Sequence, residues 1–179
     1  MAKHSEPVTT MKGKQHMNKM KSIARTFTLS IVAAACWFAF SGCVYNVPIT
    51  SKPTGKIDVR LLGHWTSKDG KDKLKVVKLD DYNYIVANID ENLYRVWHSD
   101  VADTPFVSVL NLETDKPQYS YWSWKLSGDG TLSLRIVNDK IVPDDTKDSA
   151  SVRKLLKENL HNPALFGDEG DEKQFTKDK

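Results

Sequence analysis

Strand-like segments alternate with short polar turns between Leu61 and Val142, at a spacing of about ten residues. The segments are 72–80, 84–90, 93–99, 105–113, 119–127 and 131–137, with a further one that starts near Leu61. Alternation is clearest in the last segment, where Leu132, Leu134 and Ile136 share one face. Turns this short leave no room for the crossover helices that parallel strands need. The pattern therefore predicts an antiparallel up-and-down meander.

One amphipathic helix is predicted after the strands. Four apolar residues recur at helical spacing: Val152, Leu155, Leu156 and Leu160. Asp148 or Ser149 can cap the first turn, and Asn162-Pro163 ends the helix. Beyond it, Leu165 and Phe166 are expected to pack back onto the sheet.

The predicted fold class is mainly β, an antiparallel meander of about seven strands with one C-terminal amphipathic helix. The meander can close into a small barrel or remain a curved sheet, and both possibilities stay open. Residues 57–166 form this domain, and 167–179 form a solvated polar tail with room for a short strand around Phe175.

The net charge of +3 does not indicate a nucleic-acid partner. Residues 1–42 carry six basic side chains and one acidic, which leaves 20 basic and 22 acidic side chains for the rest of the chain. A body with interleaved charges of both signs offers no basic patch to a phosphate backbone. We therefore expect no nucleic-acid binding.

Segment 1–42 has the composition of a secretory signal peptide. Basic side chains at 19–25 precede the uncharged, largely apolar run 26–40. The residues before Met17 fit neither a signal nor a domain, so translation is expected to start at Met17 or Met20.

The end of this segment, Phe40-Ser41-Gly42-Cys43, resembles the lipobox of bacterial lipoproteins. In that family small residues precede a cysteine whose thiol receives a diacylglyceryl group, and cleavage makes this cysteine the first mature residue. Ser41 and Gly42 fit the small positions, whereas Phe40 stands where leucine is usual. The resemblance implies that Cys43 carries a lipid and that the membrane is a partner.

Residues 43–56 contain proline, threonine and serine without a hydrophobic period, and are predicted to be a lipidated tether. An uncleaved transmembrane anchor is the alternative, because 26–45 is uncharged and just long enough to span a bilayer. Among Gram-negative lipoproteins, an aspartate after the cysteine retains the protein in the inner membrane. Val44 at this position implies the periplasmic face of the outer membrane, or in other bacteria the outer face of the cytoplasmic membrane.

The body resembles the lipocalins and related calycins through Gly63-His64-Trp65 at the first predicted strand. In that group a Gly-x-Trp motif places a tryptophan that closes one end of an up-and-down barrel, and a late helix follows the meander. The resemblance implies a calycin-like barrel, with an open or sandwich-like sheet capped by the helix as the other possibility.

Aromatic side chains supply the candidate binding residues. Four tryptophans lie in predicted strands and can line an apolar pocket or fill a core: Trp65, Trp97, Trp122 and Trp124. Trp122 and Trp124 share a face, and Tyr119 and Tyr121 share the opposite one, where a surface for a partner or ligand is predicted.

No catalytic residue, metal ligand or cofactor is predicted. His98 with Asp100 and Asp103 can be interpreted as an acid–base group, but two acids after a strand end ordinarily form a loop. The histidine spacing matches no zinc site, and no glycine-rich phosphate loop opens a helix.

The expected function is that of a non-enzymatic, lipid-anchored protein of the cell envelope, a binding module that presents a protein-interaction surface or a modest pocket. A carrier or sensor of a small apolar ligand is one alternative, and an envelope hydrolase is the other.

Overall fold

The structure is a computed structural model that describes residues 44–167 and 172–179. In this part of the chain eight strands form a closed antiparallel barrel, in which each strand pairs with its sequence neighbours and the eighth pairs with the first. The strands are β1 (Gly63–Ser67), β2 (Lys73–Lys78), β3 (Asn83–Asn88), β4 (Leu93–His98), β5 (Phe106–Asn111), β6 (Gln118–Leu126), β7 (Leu132–Ile136) and β8 (Lys173–Lys177). The predicted antiparallel barrel is confirmed, with eight strands where the pattern indicated about seven.

A single α-helix, α1 (Ser149–Glu158), occurs in the described residues and packs on the outside of the barrel. The Asp148 carboxylate caps it by accepting two backbone N–H groups of the first turn, each at 2.9 Å. Val152 and Leu156 form its fully buried face. Two 3-10 helices are also present: Val59–Leu61 and Pro163–Phe166. Across residues 44–167 and 172–179, no helix is both long and apolar enough to cross a bilayer.

Two separate clusters of apolar side chains stabilise the domain. The interior cluster fills the barrel and includes Trp65, Val76, Tyr84, Val96, Val107, Leu132 and Phe175. The outer cluster joins the outside of β5 and β6 to α1 and to the first described residues; it includes Tyr45, Ile49, Phe106, Tyr121, Val152, Leu156, Leu165 and Phe166. The predicted packing of Leu165 and Phe166 onto the sheet is confirmed by this cluster.

One end of the barrel, which we call the closed end, carries the 3-10 helix Val59–Leu61 and the β2–β3, β4–β5 and β6–β7 connections. Trp65 is 1% exposed there and donates its indole N–H to the carbonyl of Leu61 at 2.9 Å. This bond ties the 3-10 helix to the first strand, so that the helix covers the end of the barrel.

Lys177 at the end of β8 also contacts residues of the closed end. Its Nζ donates to the Arg60 carbonyl at 3.0 Å and lies 5.6 Å from the centroid of the Trp65 ring. Gly63 has a φ of 127°, and a Cβ at this position would lie 2.8 Å from Cε of Lys177. The backbone conformation favours glycine here, whereas the lysine side chain could move to admit a Cβ.

The opposite end, which we call the open end, carries the β1–β2, β3–β4 and β5–β6 connections. Six apolar side chains pack against the interior cluster here yet stay only half-buried: Leu74, Val86, Tyr94, Val109, Trp122 and Leu134. Alternate residues of a barrel strand point inward, so these side chains line the interior. Their exposure means that solvent reaches the barrel interior from this end.

The prediction of a free tether is wrong for residues 44–56, which pack along the barrel as an N-terminal segment. Tyr45 and Ile49 are 1% and 0% exposed. Tyr45 exchanges two backbone hydrogen bonds of 2.8 Å with Tyr119, and its ring stacks on Tyr121 with centroids 3.9 Å apart. Two large apolar side chains separated by three residues supply enough buried surface to order the segment.

Hydroxyl groups fix the next part of the N-terminal segment. The backbone N–H of Ile49 donates to Ser108 Oγ at 3.0 Å, and Ser99 Oγ lies 2.9 Å from the same hydroxyl. Thr50 Oγ1 is 2.7 Å from Ser99 Oγ. Since these groups are buried, each needs a partner that water cannot supply, and the segment provides it.

The prediction of a solvated tail over 167–179 is also wrong for the described residues 173–177, which form β8. Phe175 is 1% exposed and belongs to the interior cluster. β8 pairs with β1 on one side and β7 on the other, which closes the barrel. The strand predicted as an option around Phe175 is therefore an essential element of the fold.

We expect Tyr45→Ala to lower the free energy of unfolding by about 3–5 kcal/mol, the usual cost of removing a large buried aromatic side chain. Val44→Ala is the matched control, because Val44 is 46% exposed and its truncation should change stability by less than about 0.5 kcal/mol. Urea denaturation followed by tryptophan fluorescence measures both. Equal stabilities of the two variants would mean that the N-terminal segment does not pack on the barrel.

Candidate functional site

The structure brings three of the four predicted tryptophans to the barrel interior and leaves the fourth outside. Trp65, Trp122 and Trp124 belong to the interior cluster or pack against it. Trp97 points outward, where its indole N–H donates to the carbonyl of Thr50 at 3.1 Å. A pocket lined by all four is therefore not formed.

The open end of the barrel holds the best candidate for a binding site, which we call the mouth. Its wall consists of the six half-buried side chains that line the interior at this end. The strand register places Val86 opposite Tyr94 and Trp122 opposite Val107, so the apolar wall is continuous across β3–β4 and β5–β6. Such an apolar surface suits an apolar ligand.

A few polar groups border the mouth. The indole N–H of Trp122 donates to Ser120 Oγ at 3.0 Å, and Lys173 pairs with Asp72 at 2.8 Å. Burial raises the pKa of Tyr94, and the nearby carboxylate of Glu113 adds to the effect. The Tyr94 hydroxyl therefore stays protonated and can donate a hydrogen bond to a ligand's polar head.

Of the mouth residues, sequence reasoning identified Trp122 alone as a candidate. The others are ordinary valines, leucines and a tyrosine on alternating strand positions. Strand alternation could have identified them, because each lies an even number of residues from a buried interior residue of its own strand.

A groove of about 390 Å³ lies near the closed end of the barrel. It is lined by Arg60, Pro105, Ser123, Trp124, Lys125 and Leu126. The Arg60 guanidinium is bound to the Asp58 carboxylate at 2.6 Å, which neutralises its charge. Among the described side chains, the indole N–H of Trp124 is buried without a hydrogen-bond partner. Trp124 and Leu126 of this lining also pack against the interior cluster, and Trp124 is the one tryptophan of the four that the groove contains.

The face of β6 that carries Tyr119 and Tyr121 is covered by the chain itself, which corrects its prediction as a partner or ligand surface. Tyr121 is 0% exposed, lies under Tyr45, and donates its hydroxyl proton to the Val47 carbonyl. Burial raises its pKa. Tyr119 packs edge-on against Trp97 with centroids 6.1 Å apart. These side chains therefore bind the N-terminal segment.

His98 belongs to a buried hydrogen-bonded group at the closed end. The Tyr84 hydroxyl accepts the backbone N–H of Asp58 at 2.5 Å and lies 2.8 Å from His98 Nε2. The tautomer of His98 decides which of the two groups donates in this bond, and neutral His98 can take either role. Burial lowers the pKa of His98 and raises that of Tyr84 to about 12, which keeps both groups uncharged.

The predicted acid–base group does not assemble through hydrogen bonds in the described residues. His98 bonds to Tyr84, whereas the Asp100 carboxylate accepts the Thr54 hydroxyl at 3.2 Å. Asp103 lies in the β4–β5 turn with a φ of 64°. The two acids shape the loop, as expected for carboxylates that follow a strand.

Within the described ranges, no three side chains of histidine, cysteine, aspartate or glutamate are grouped so that they could hold a metal ion. The predicted lipidation residue Cys43 and the cleavage residues Phe40, Ser41 and Gly42 lie outside the described residues.

Comparisons of this chain with protein-family models, with curated proteins and with solved structures found no match.

The free energy of unfolding should fall as the pH drops from about 7.5 to about 5.5. The unfolded chain takes up a proton at the ordinary histidine pKa of 6.5, whereas folded His98 takes it up only at lower pH. Protonation therefore favours the unfolded state. Urea titrations at several pH values measure the slope.

His98→Gln should flatten this pH dependence, because glutamine can still form a hydrogen bond with the Tyr84 hydroxyl but does not titrate. His161→Gln is the matched control, since His161 is exposed beyond α1 and should leave the slope unchanged. An unchanged slope in His98→Gln would contradict the neutral, buried state of His98.

Proposed function

We propose that this protein is a lipid-anchored protein of the bacterial cell envelope, and that its barrel is a non-enzymatic binding module that accepts a small apolar ligand through the mouth. The observation that carries the ligand proposal is the incomplete burial of inward-facing apolar side chains. Val86, Val109 and Trp122 remain half-buried at the open end, although they pack against a buried interior cluster.

The cost of that incomplete burial supports a binding role. Each Å² of apolar surface left in contact with water forgoes roughly 25 cal/mol of stabilisation. Other inward-facing side chains of the same barrel are fully covered, since Trp65 and Phe175 are each 1% exposed. A ligand with an apolar chain would cover the remaining surface of the mouth.

The lipid anchor rests on the resemblance of Phe40-Ser41-Gly42-Cys43 to a lipobox and on the signal-like composition of residues 1–42. The location that follows is the periplasmic face of the outer membrane in a Gram-negative organism, and otherwise the outer face of the cytoplasmic membrane. The position of Trp65 beneath the 3-10 helix at the closed end supports the resemblance to calycins, which we retain as part of the proposal.

A second candidate function is the binding of an envelope protein on the outside of β2 and its turn. Val77, Leu79 and Tyr82 are 40%, 53% and 46% exposed there, and they follow one another along the chain at the closed end. Exposed apolar side chains that cluster in this way are typical of interaction sites. Photo-crosslinking from position 79 in intact envelopes would test it, and adducts with no specific protein would eliminate it.

We expect the protein extracted from membranes to begin at Cys43 and to carry a diacylglyceryl group on that cysteine. Mass spectrometry of the N-terminal peptide measures this directly. Cys43→Ala should abolish the lipid and leave the leader uncleaved at this site, while Cys36→Ala, in the apolar part of the leader, should change neither. An intact peptide across Phe40 and Cys43 in the wild-type protein would eliminate the lipoprotein proposal.

Dansyl-undecanoic acid should bind the mouth, with dansyl emission excited by energy transfer from the tryptophans of the barrel. Val109→Asp should weaken binding at least tenfold, because burial of the ligand would then desolvate a carboxylate. Val77→Asp is the matched control, since it adds the same charge to an exposed outward position of β2. Thermal denaturation checks that both variants are folded.

Equal affinities of Val109→Asp and Val77→Asp for the probe would place binding outside the mouth. Failure of the folded wild-type protein to bind the probe would remove the apolar-ligand proposal and leave the lipid anchor unaffected.

A further inference from the structure

We propose that the lipid anchor holds the open end of the barrel against the membrane, where three exposed apolar side chains of the rim contact a zwitterionic phospholipid surface. The rim consists of Ile89, Leu93 and Leu112. This inference rests on the proposed lipidation of Cys43, and it adds an orientation and a contact surface that the lipobox does not imply.

Tyr45 fixes the N-terminal segment to the barrel. Tyr45 is held to Tyr119 by two backbone hydrogen bonds of 2.8 Å, and its hydroxyl donates to the Val142 carbonyl at 3.0 Å. It is 1% exposed. The chain is therefore fixed to the barrel from Tyr45 onward, two residues after Cys43.

The chain between Cys43 and Tyr45 is too short to act as a tether. Two residues span at most about 7 Å when fully extended, compared with about 40 Å for a free tether of thirteen residues. A lipid on Cys43 must therefore enter the bilayer close to Tyr45. The barrel is held at the membrane surface and cannot move away from it.

Tyr45 lies at the open end of the barrel. Tyr119, the partner of Tyr45, is the second residue of β6 and directly follows the β5–β6 connection. That connection lies at the open end. A strand of six residues is about 20 Å long, so the closed end is separated from the anchor by about that distance.

The rim at the open end has the composition of a surface that contacts lipid. Ile89, Leu93 and Leu112 are 48%, 42% and 46% exposed. The backbone N–H of Leu112 donates to the Leu93 carbonyl at 3.0 Å, which places these two residues side by side. Ile89 lies in the β3–β4 turn that leads into Leu93. Three large apolar side chains therefore share one stretch of the rim.

The charge of the β3–β4 and β5–β6 connections favours a zwitterionic lipid surface over an anionic one. Four acidic residues occupy the same two connections, Asp90, Glu91, Glu113 and Asp115, and Lys116 is their one basic residue, so the net charge is 1 − 4 = −3. The Glu113 carboxylate accepts the backbone N–H of Leu93 at 3.2 Å, which keeps one negative charge beside the apolar rim. An anionic bilayer would repel this end, whereas a zwitterionic surface of phosphatidylethanolamine or phosphatidylcholine would not. We therefore assign the rim to a zwitterionic surface.

Exposed apolar residues at the closed end do not compete for this role. Val59 and Leu79 are 68% and 53% exposed, but they lie at the end of the barrel away from Tyr45. The short link to the lipid gives the open end a high effective concentration at the bilayer, and the closed end has no comparable link.

Photo-crosslinking of the full-length protein tests the orientation. The chain is expressed with its leader, purified from membranes, and reconstituted in phosphatidylcholine vesicles. Leu112→p-benzoylphenylalanine places the crosslinker on the rim, and Asp129→p-benzoylphenylalanine places it in the exposed β6–β7 hairpin at the closed end. Phospholipid adducts are counted by mass spectrometry after irradiation.

We expect at least fivefold more phospholipid adduct from position 112 than from position 129. Similar yields from the two positions, or an excess from position 129, would overturn the orientation. Adducts from position 112 to a second copy of the chain in place of lipid would also overturn it, because the rim would then be a dimer contact.

Intact mass of the purified protein separates this inference from the proposal on which it rests. Protein without lipid on Cys43 would overturn both. Lipidated protein with equal adduct yields at the two positions would overturn only the orientation. Leu93→p-benzoylphenylalanine provides a second rim position, so that a folding defect at position 112 does not decide the result.

Discussion

β8 pairs with β1 through Trp65, Thr66 and Ser67 and with β7 through Leu132, Ser133 and Leu134, and this double pairing turns a twisted sheet into a barrel. Without it β1 and β7 would each present an unpaired edge, which proteins generally avoid. Closure also creates an interior with two ends, and every other property of the domain depends on that interior. A closed end and an open end can be distinguished only because the ring is complete.

The closed end is held by three contacts. The 3-10 helix brings the Leu61 carbonyl to Trp65, β8 brings Lys177 to Arg60, and Asp58, which caps the 3-10 helix, donates its backbone N–H to Tyr84. All three contacts lie at the end that carries no part of the mouth. The half-buried wall of the mouth can therefore remain partly exposed without exposing the rest of the interior.

Alternation of apolar and polar residues was sufficient to predict most of the barrel. The segment 84–90 corresponds to β3 at Asn83–Asn88, and 131–137 corresponds to β7 at Leu132–Ile136. The strand β8 was weaker in the sequence because Lys173–Lys177 contains a single apolar residue, Phe175, and one residue cannot define a period of two. Its pairing with β1 arises from tertiary contacts far apart in the chain.

The candidate site was harder to predict for the same physical reason. Alternation shows that Trp122 and Trp124 share one face of β6. It does not show which face of β4 lies on the same side of the sheet. In the structure Trp97 lies on the outside of the barrel. The register between strands is set by the whole sheet. Knowing which alternate residues of one strand face inward therefore does not tell which residues of the next strand do. The N-terminal segment escaped prediction because Tyr45 and Ile49 are too few to form a period, although each is almost fully buried.

The placement of the N-terminal segment has a mechanical consequence for any lipid-anchored form of the protein. Its residues run from Tyr45 beside the start of β6 to Ile57, whose N–H donates to the Asp81 carbonyl at 3.0 Å in the β2–β3 connection. The segment therefore crosses the outside of the barrel from the open end to the closed end.

A pull on the anchor would load the buried bonds of Tyr45 first, because they come first in the chain. Rupture would then require loss of the Tyr45–Tyr121 stack and of two backbone hydrogen bonds together, and cooperative contacts of this kind resist force better than bonds that break one at a time. An ordered segment thus transmits the position of the membrane to the barrel, which a flexible tether would not do.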